Sequence, residues 1–210
     1  MPLTNFRCLL FDLDDTLYAQ DSGVWDMVRV RINQYLQEEL RFPPEEVGPL
    51  RQRLYRQYGT TLRGLQEEYA VDMDGYLEYV HKIPLEKVLT PNQKLDQVLS
   101  QFHLRKIIFT NASKAHAQRV LQALAITNHF ERIIDIYAVQ PFCKPNIKAF
   151  DKALALIDEK PEDCLLIDDS PKNLQTAQAL GMSTVSVGRH PLDGIPHIDT
   201  ILDLPDIIIP

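Results

Sequence analysis

The strongest constraint on this chain is a repeated alternation of short apolar runs with amphipathic helical stretches. Arg7 to Phe11, Lys106 to Phe109, Ile133 to Tyr137, Cys164 to Ile167 and Thr184 to Val187 read as buried strands. Between the later runs, apolar residues recur at helical spacing. Ala117, Val120, Leu121 and Leu124 form one stripe, and Ile147, Phe150, Leu154 and Ile157 another. The helix after the fourth strand has Ser170 as its expected side-chain cap, Pro171 in its first turn and Gly181 at its end. Such alternation predicts an α/β fold, a parallel sheet flanked by helices. Ligands on these sheets bind at the carboxyl ends of the strands. Ile198 to Leu202 is expected as an edge strand, and Ile207 to Ile209 as a packed segment.

Residues 20–97 break the alternation. Val24, Val28, Ile32, Tyr35 and Leu36 make one helical stripe, and Val47, Leu50, Leu54 and Tyr58 a second. Pro49 is expected to mark or kink the first turn of that second helix. Leu62 to Tyr69 and Tyr76 to Val80 are shorter helical segments, with Pro43-Pro44, Gly59 and Pro84 as punctuation. The expectation is a helical insert over 20–97, with the α/β core formed by 1–19 and 98–210.

Apolar residues make up 45% of the chain and charged residues 24%, which suits a packed globular protein rather than a disordered one. The net charge of −7 argues against a groove for polymeric nucleic acid, but not against a small phosphorylated ligand, for which a few local cations suffice. No run approaches the ~20 apolar residues of a membrane span. The opening MPLTNFRCLLF shows no long apolar stretch with a cleavage site. Cys8, Cys143 and Cys164 have no zinc or CxxC spacing and are expected to be reduced thiols of a cytoplasmic protein.

Polar residues with chemical capacity gather at the ends of the apolar runs. The first run ends in Asp12-Leu13-Asp14-Asp15-Thr16. Asp and Thr are good turn and cap residues, but three acids at a buried strand end also suit a bound cation. The second ends in Thr110-Asn111-Ala112-Ser113, either a helix cap or an anion cradle. Lys144 precedes a helix, as a solvated charge or as a phosphate ligand. The fourth ends in Asp168-Asp169-Ser170, and two adjacent acids there repel one another unless a cation lies between them. Three of these four sites end strands of one inferred sheet, so they crowd one edge. Together they offer carboxylates for a hard cation, a hydroxyl and a lysine for a phosphoryl group, and further carboxylates as nucleophile and acid/base.

The order DxDxT, a strand ending in Thr, a Lys and a strand ending in Asp-Asp resembles the haloacid dehalogenase-like hydrolase superfamily. The resemblance covers nearly the whole chain. It implies a Rossmann-like core, and it makes the insert similar to the helical cap of the smaller members. Tyr58-Gly59-Thr60-Thr61-Leu62, Tyr76 to His81, Ile108-Phe109-Thr110-Asn111, His116-Ala117 and Arg119-Val120 are similar to the pyrimidine nucleotidase branch.

By that resemblance Asp12 is the nucleophile that becomes an aspartyl phosphate. Asp14 protonates the leaving oxygen and then activates water. Magnesium is bound by an Asp12 oxygen, the Asp14 carbonyl and Asp169, with Asp168 acting through water or from behind the ligands. Lys144 and Thr110 contact phosphate oxygens, and Asn111 contributes a backbone amide. An acid at Asp14 distinguishes phosphate-ester hydrolases from true dehalogenases, whose leaving halide needs no proton. Asn173 stands where many members carry a further acid. The cap is expected to close over the leaving group, with Thr60 and Thr61 reaching the base or sugar and Tyr18 stacking on the base. Thr60 is equally suited to capping a helix, Tyr18 to a core position, and His81 is read as structural. The implied partner is a small phosphorylated metabolite, a nucleoside monophosphate such as UMP or CMP. Neither a nucleic-acid polymer nor a membrane is implied, and oligomeric state is left open. The alternatives are a general phosphatase of sugar phosphates or pyridoxal phosphate, a phosphomutase, and a non-catalytic binding module.

Overall fold

The computed structural model describes residues 6–208. The first five residues of the opening segment, and Ile209 of the terminal isoleucine run, lie outside them. The described elements run β1 (Cys8–Phe11), α1 (Val24–Glu38), α2 (Pro44–Tyr58), α3 (Thr61–Tyr69), α4 (Met73–His81), α5 (Gln93–Ser100), β2 (Arg105–Phe109), α6 (Lys114–Ala123), β3 (Arg132–Ile134), α7 (Ile147–Ile157), β4 (Cys164–Asp168), α8 (Pro171–Ala179), β5 (Ser183–Val187) and β6 (His197–Ile198). They form two compact units, Gly23–Pro84 and the remainder of the chain. No described helix is long and apolar enough to cross a membrane.

The larger unit is a parallel six-stranded sheet in the order β3-β2-β1-β4-β5-β6. From β1 the chain adds β2 and β3 on one side. It then crosses back through α7 and adds β4, β5 and β6 on the other. The strand order therefore reverses between β1 and β4, which opens a crevice at their carboxyl ends. Alternate strand residues point to opposite faces. Cys8, Leu10, Ile107, Phe109, Cys164 and Leu166 share one buried cluster with Phe150, Leu154, Leu174 and Ala177 of α7 and α8. Leu9, Phe11, Ile108, Leu165 and Ile167 point the other way and are equally buried. Burial on both faces explains why these strands read as continuous apolar runs rather than alternating ones. All three cysteines are free thiols, and all are buried.

Several boundaries differ from the sequence expectation. The third strand stops at Ile134, because Asp135 accepts hydrogen bonds from the backbone amides of Lys114 (2.8 Å) and Ala138 (3.1 Å) and turns the chain. The edge strand is His197–Ile198 only, since Thr200 and Asp203 form a capping box that starts a 3-10 helix over Ile201–Asp206. Ile208 is buried. Ser170 sits at the N-cap position of α8 but its side chain makes no capping bond; its amide instead donates to Asp168.

The smaller unit is all-helical. Val24, Val28, Ile32 and Leu36 of α1 are buried, as are Val47, Leu50 and Leu54 of α2. Contrary to the expectation from sequence, Pro49 does not lie in the first turn of α2: the helix begins at Pro44, whose missing N–H costs nothing in a first turn, and runs on through Pro49. Gly64 of α3 lies so close to α2 that a Cβ there would stand 2.6 Å from Leu54 Cδ2. The expected insert of 20–97 is wider than this unit, because 20–22 and 85–97, including the start of α5, belong to the larger unit.

Candidate active site

The site grows from the crevice where the strand order reverses. Asp12 follows β1, and its amide donates to the Ile167 carbonyl of β4 at 2.9 Å. Asp168 is the last residue of β4 and is fully buried. Lys144, 1% exposed, reaches between them. Its Nζ donates to Asp12 Oδ1 at 2.8 Å and to Asp168 Oδ2 at 2.7 Å. A buried ammonium survives only when paired, and here the two carboxylates outweigh the effect of burial and hold Lys144 above its ordinary pKa.

One cation does not balance this cluster. Asp12, Asp168 and Asp169 each offer a carboxylate oxygen, and those oxygens lie within 4.8 Å of one another. Burial raises Asp12 to about 7, with Asp168 and Asp14 adding to the rise and Lys144 opposing it. Burial likewise pushes Asp169 up to about 8, with Asp12 and Asp168 adding to it. Oxygen donors that resist ionisation at this spacing suit a hard divalent cation, so the residues fit a magnesium ion.

The surrounding bonds divide the labour among the acids. Asp168 Oδ1 accepts from the Ser170 amide (2.8 Å) and Asn173 Nδ2 (2.9 Å), while Oδ2 accepts from Lys144 and from the same Asn173 amide at 3.0 Å. Asp168 is thereby fixed as the orienter of Lys144. Asn173 also finds its physical reason: it donates where a further acid would only repel. Asp14 stands outside the three-carboxylate group, and its side chain is 21% exposed. Its Oδ1 accepts from the Tyr18 hydroxyl at 2.6 Å and lies 3.1 Å from His116 Nε2. Burial, reinforced by Asp14, raises the Tyr18 phenol well above its usual pKa, so it remains a donor.

Asn111 contributes through its side chain. Its amide donates to the Lys144 carbonyl and its Oδ1 accepts from the Lys144 amide, both at 2.9 Å. This clamp joins the loop after β2 to the loop before α7. Thr110 is 2% exposed, and its hydroxyl oxygen accepts from the Ala112 amide at 3.0 Å. Ser113 caps α6 by accepting from the His116 amide at 3.3 Å.

A family model for haloacid dehalogenase-like hydrolases matches residues 6–181. The chain belongs to that family. Among curated relatives, it is 28% identical over 194 residues to phosphate metabolism protein 8 of Saccharomyces cerevisiae, covering 85% of this chain and 60% of the yeast protein. The chain thus spans about three-fifths of that relative's length. It is 24% identical over 180 residues to the pyrophosphatase PpaX of Bacillus mycoides, covering 85% of this chain and 82% of that one. Two solved structures share the fold. A predicted phosphoglycolate phosphatase from Haemophilus somnus matches with a TM-score of 0.65 at 17% identity, covering 98% of this chain and 99% of that chain. The putative hydrolase YfnB of Bacillus subtilis, solved bound to magnesium, matches with a TM-score of 0.64 at 20% identity, covering 98% and 99%.

In this haloacid dehalogenase-like hydrolase, Asp12, Lys144, Asp168 and Asp169 are brought together as the sequence pattern suggested. Tyr18 is not placed as a stacking platform: it is 7% exposed and its hydroxyl is turned onto Asp14. Thr60 and Thr61 belong to the helical unit, where Thr60 caps α3 by accepting from the Arg63 amide at 3.0 Å. His116 was missed as a site residue. The signal that could have found it is a histidine on the first turn of the helix that follows the Thr110 strand end.

The unbalanced acids make a stability prediction. Folded Asp12 and Asp169 hold protons up to about 7 and 8, whereas an ordinary solvated aspartate ionises at 3.8. Their contribution is fully present below that value and is lost as pH rises through 7 to 8. The Tm in EDTA is therefore expected to fall between pH 5 and 9, and less steeply in Asp169→Asn. Magnesium should raise the Tm more at pH 8 than at pH 5. A Tm in EDTA that climbs with pH, or a magnesium gain that shrinks with pH, contradicts the assignment.

Proposed function

We propose that this protein is a magnesium-dependent phosphomonoester hydrolase acting through an aspartyl-phosphate on Asp12, with pyrimidine nucleoside 5′-monophosphates such as UMP and CMP as substrates. The observation that carries the hydrolase reading is Lys144 buried between Asp12 and Asp168, beside the third carboxylate of Asp169. A fixed cation beside a carboxylate, with room in the chemistry for a second cation, suits a transferring phosphoryl group. The names of the yeast and Bacillus mycoides relatives, which speak of phosphate metabolism and of a pyrophosphatase, agree with a phosphorylated substrate. So does the magnesium of the Bacillus subtilis neighbour with a metal at this site.

An Asp12 oxygen attacks phosphorus, and the bond from phosphorus to the alcohol oxygen breaks. Asp14 gives its proton to that oxygen, so the alcohol leaves neutral. Asp14, now a carboxylate, takes a proton from water as the water attacks the acyl phosphate; inorganic phosphate leaves and Asp12 is restored. Lys144 favours the ionised form of Asp12 against the effect of burial and fixes its Oδ1 by a hydrogen bond. Asp12, the Asp14 carbonyl and Asp169 would hold magnesium, with Asp168 beside it through water or as a support, and the ion would supply charge neutralisation for the phosphoryl oxygens. At the same strand edge, the Thr110 hydroxyl and the Asn111 backbone amide would contact those oxygens, the Thr110 amide being taken by the Ile134 carbonyl.

The pyrimidine assignment rests on the sequence stretches 58–62 and 76–81 of the helical unit, to which we assign base specificity. A site that hydrogen-bonds a base rejects ligands without it by large factors. The test is phosphate release from UMP, CMP, AMP, a sugar phosphate and pyridoxal phosphate, with magnesium and with EDTA. Release confined to UMP and CMP and lost in EDTA is the expected result. Even activity across the panel removes the pyrimidine assignment and leaves a general phosphatase. A sugar phosphate isomerised without phosphate release would favour a phosphomutase, an alternative supported by 32% identity over 78 residues to a Bacillus subtilis β-phosphoglucomutase.

A further inference from the structure

We propose that Tyr18 and His116 are positioning residues that lock the Asp14 carboxyl in one orientation, so that a single defined oxygen carries the proton to and from the reacting groups. The inference rests on the hydrolase reading above, in which Asp14 is the acid and base. Tyr18 and His116 lie 98 residues apart in sequence, yet both reach the same atom, Asp14 Oδ1, at 2.6 and 3.1 Å. All three residues belong to the same compact unit. Tyr18 sits one turn beyond Asp14 in the segment after β1. His116 arrives from the opening turn of α6, its amide held by Ser113.

Burying a phenol and an imidazole is costly unless their polar atoms are bonded. The two side chains are 7% and 1% exposed, and both direct a polar atom at a carboxylate that is itself partly open to solvent. A purely structural pair would do as well on backbone carbonyls, which a sheet edge offers in number. Convergence on one oxygen has a specific consequence. The carboxyl torsion of an aspartate is soft, so an unrestrained Asp14 would sweep its two oxygens through a broad range. A carboxylate oxygen has two lone-pair directions, and with His116 in the tautomer that carries its proton on Nε2, the Tyr18 hydroxyl and that N–H fill both. When Asp14 carries a proton, that proton sits on Oδ2. The leaving alcohol and the attacking water then meet the same oxygen in successive half-reactions, and holding that geometry is worth a large factor in rate.

The prediction is a loss that depends on the leaving group. Consider kcat/KM, which reports on the step that phosphorylates Asp12. Nitrophenolate leaves without a proton, whereas the ribose oxygen of UMP needs one. Tyr18→Phe, which deletes a single oxygen, should lower kcat/KM on UMP by about 10-fold or more and on p-nitrophenyl phosphate by less than about 3-fold, since acid catalysis contributes roughly 10²–10⁴. His116→Asn should show the same asymmetry, and Asp14→Asn the extreme of it. Equal losses on both esters would mean a general structural role and would overturn the proposal, as would no loss on either. Tm values of each variant show whether it folds. Should His116→Asn fail to fold, Tyr18→Phe alone decides the matter. If the wild-type enzyme hydrolyses neither ester, or Asp12→Asn retains activity, it is the hydrolase reading that fails. If wild type is active and Asp14→Asn loses both esters equally, the acid role of Asp14 fails and this proposal with it.

Discussion

Lys144→Met is expected to cost both stability and activity, and by different routes. Its buried ammonium bonds both Asp12 and Asp168. Removing it leaves two buried carboxylates without that partner, which costs about 3–5 kcal/mol for a broken buried ion pair. Methionine fills much of the volume, so the loss reads out as electrostatics rather than as a cavity. Phosphate release should fall by roughly 10²–10³, the scale of one lost stabilising group in a fixed site. Lys144→Arg should restore little of either, because the planar guanidinium needs a wider berth than a side chain that is 1% exposed has. Urea unfolding in EDTA and initial rates in magnesium check the two halves. Added magnesium should recover part of the stability and little of the rate. Near-wild-type stability in EDTA would mean that the cluster is not held together by this lysine.

Asp12→Asn should have the opposite balance. Activity is expected to fall by about 10⁴ or more, the scale of a lost nucleophile. Stability in EDTA at pH 8 is expected to hold or rise, because the substitution removes one of three mutually repelling acids and leaves Lys144 bonded to Asp168. The pair of variants thus separates chemistry from folding: one loses both, the other loses only the reaction. Residual phosphate release within tenfold of wild type would remove Asp12 as nucleophile. A large loss of stability in EDTA at pH 8 would mean that Asp12 chiefly anchors the lysine.

The strands were legible because they are buried on both faces, so Cys8 to Phe11 and Cys164 to Ile167 stand out as unbroken apolar runs. The short third and sixth strands were not, because polar turn chemistry at Asp135 and at Thr200 with Asp203 overrides the apolar residues around it. The edge of the helical unit was misjudged for a related reason: α5 has the same amphipathic period as its neighbours, and period alone does not say which body buries its stripe. At the site, acids at strand ends announced themselves by their cost. Side chains that act through another residue did not. Asn111 reads from sequence as a backbone-amide donor, with nothing to announce its side-chain clamp on Lys144, and Tyr18 as a core or stacking ring, with nothing to announce its hydroxyl on Asp14. Ser170 fitted the capping preference, but Asp168 takes its amide and leaves the hydroxyl without that role.

The central claim is a covalent phosphate on Asp12. The most direct measurement mixes the enzyme with UMP and magnesium, quenches in acid within milliseconds, reduces the acyl phosphate with borohydride and maps the modified peptide by mass spectrometry. The account predicts a homoserine at position 12, absent without substrate and absent in EDTA. Modification at another acid, or sustained phosphate release with no modified residue at any quench time, would contradict it.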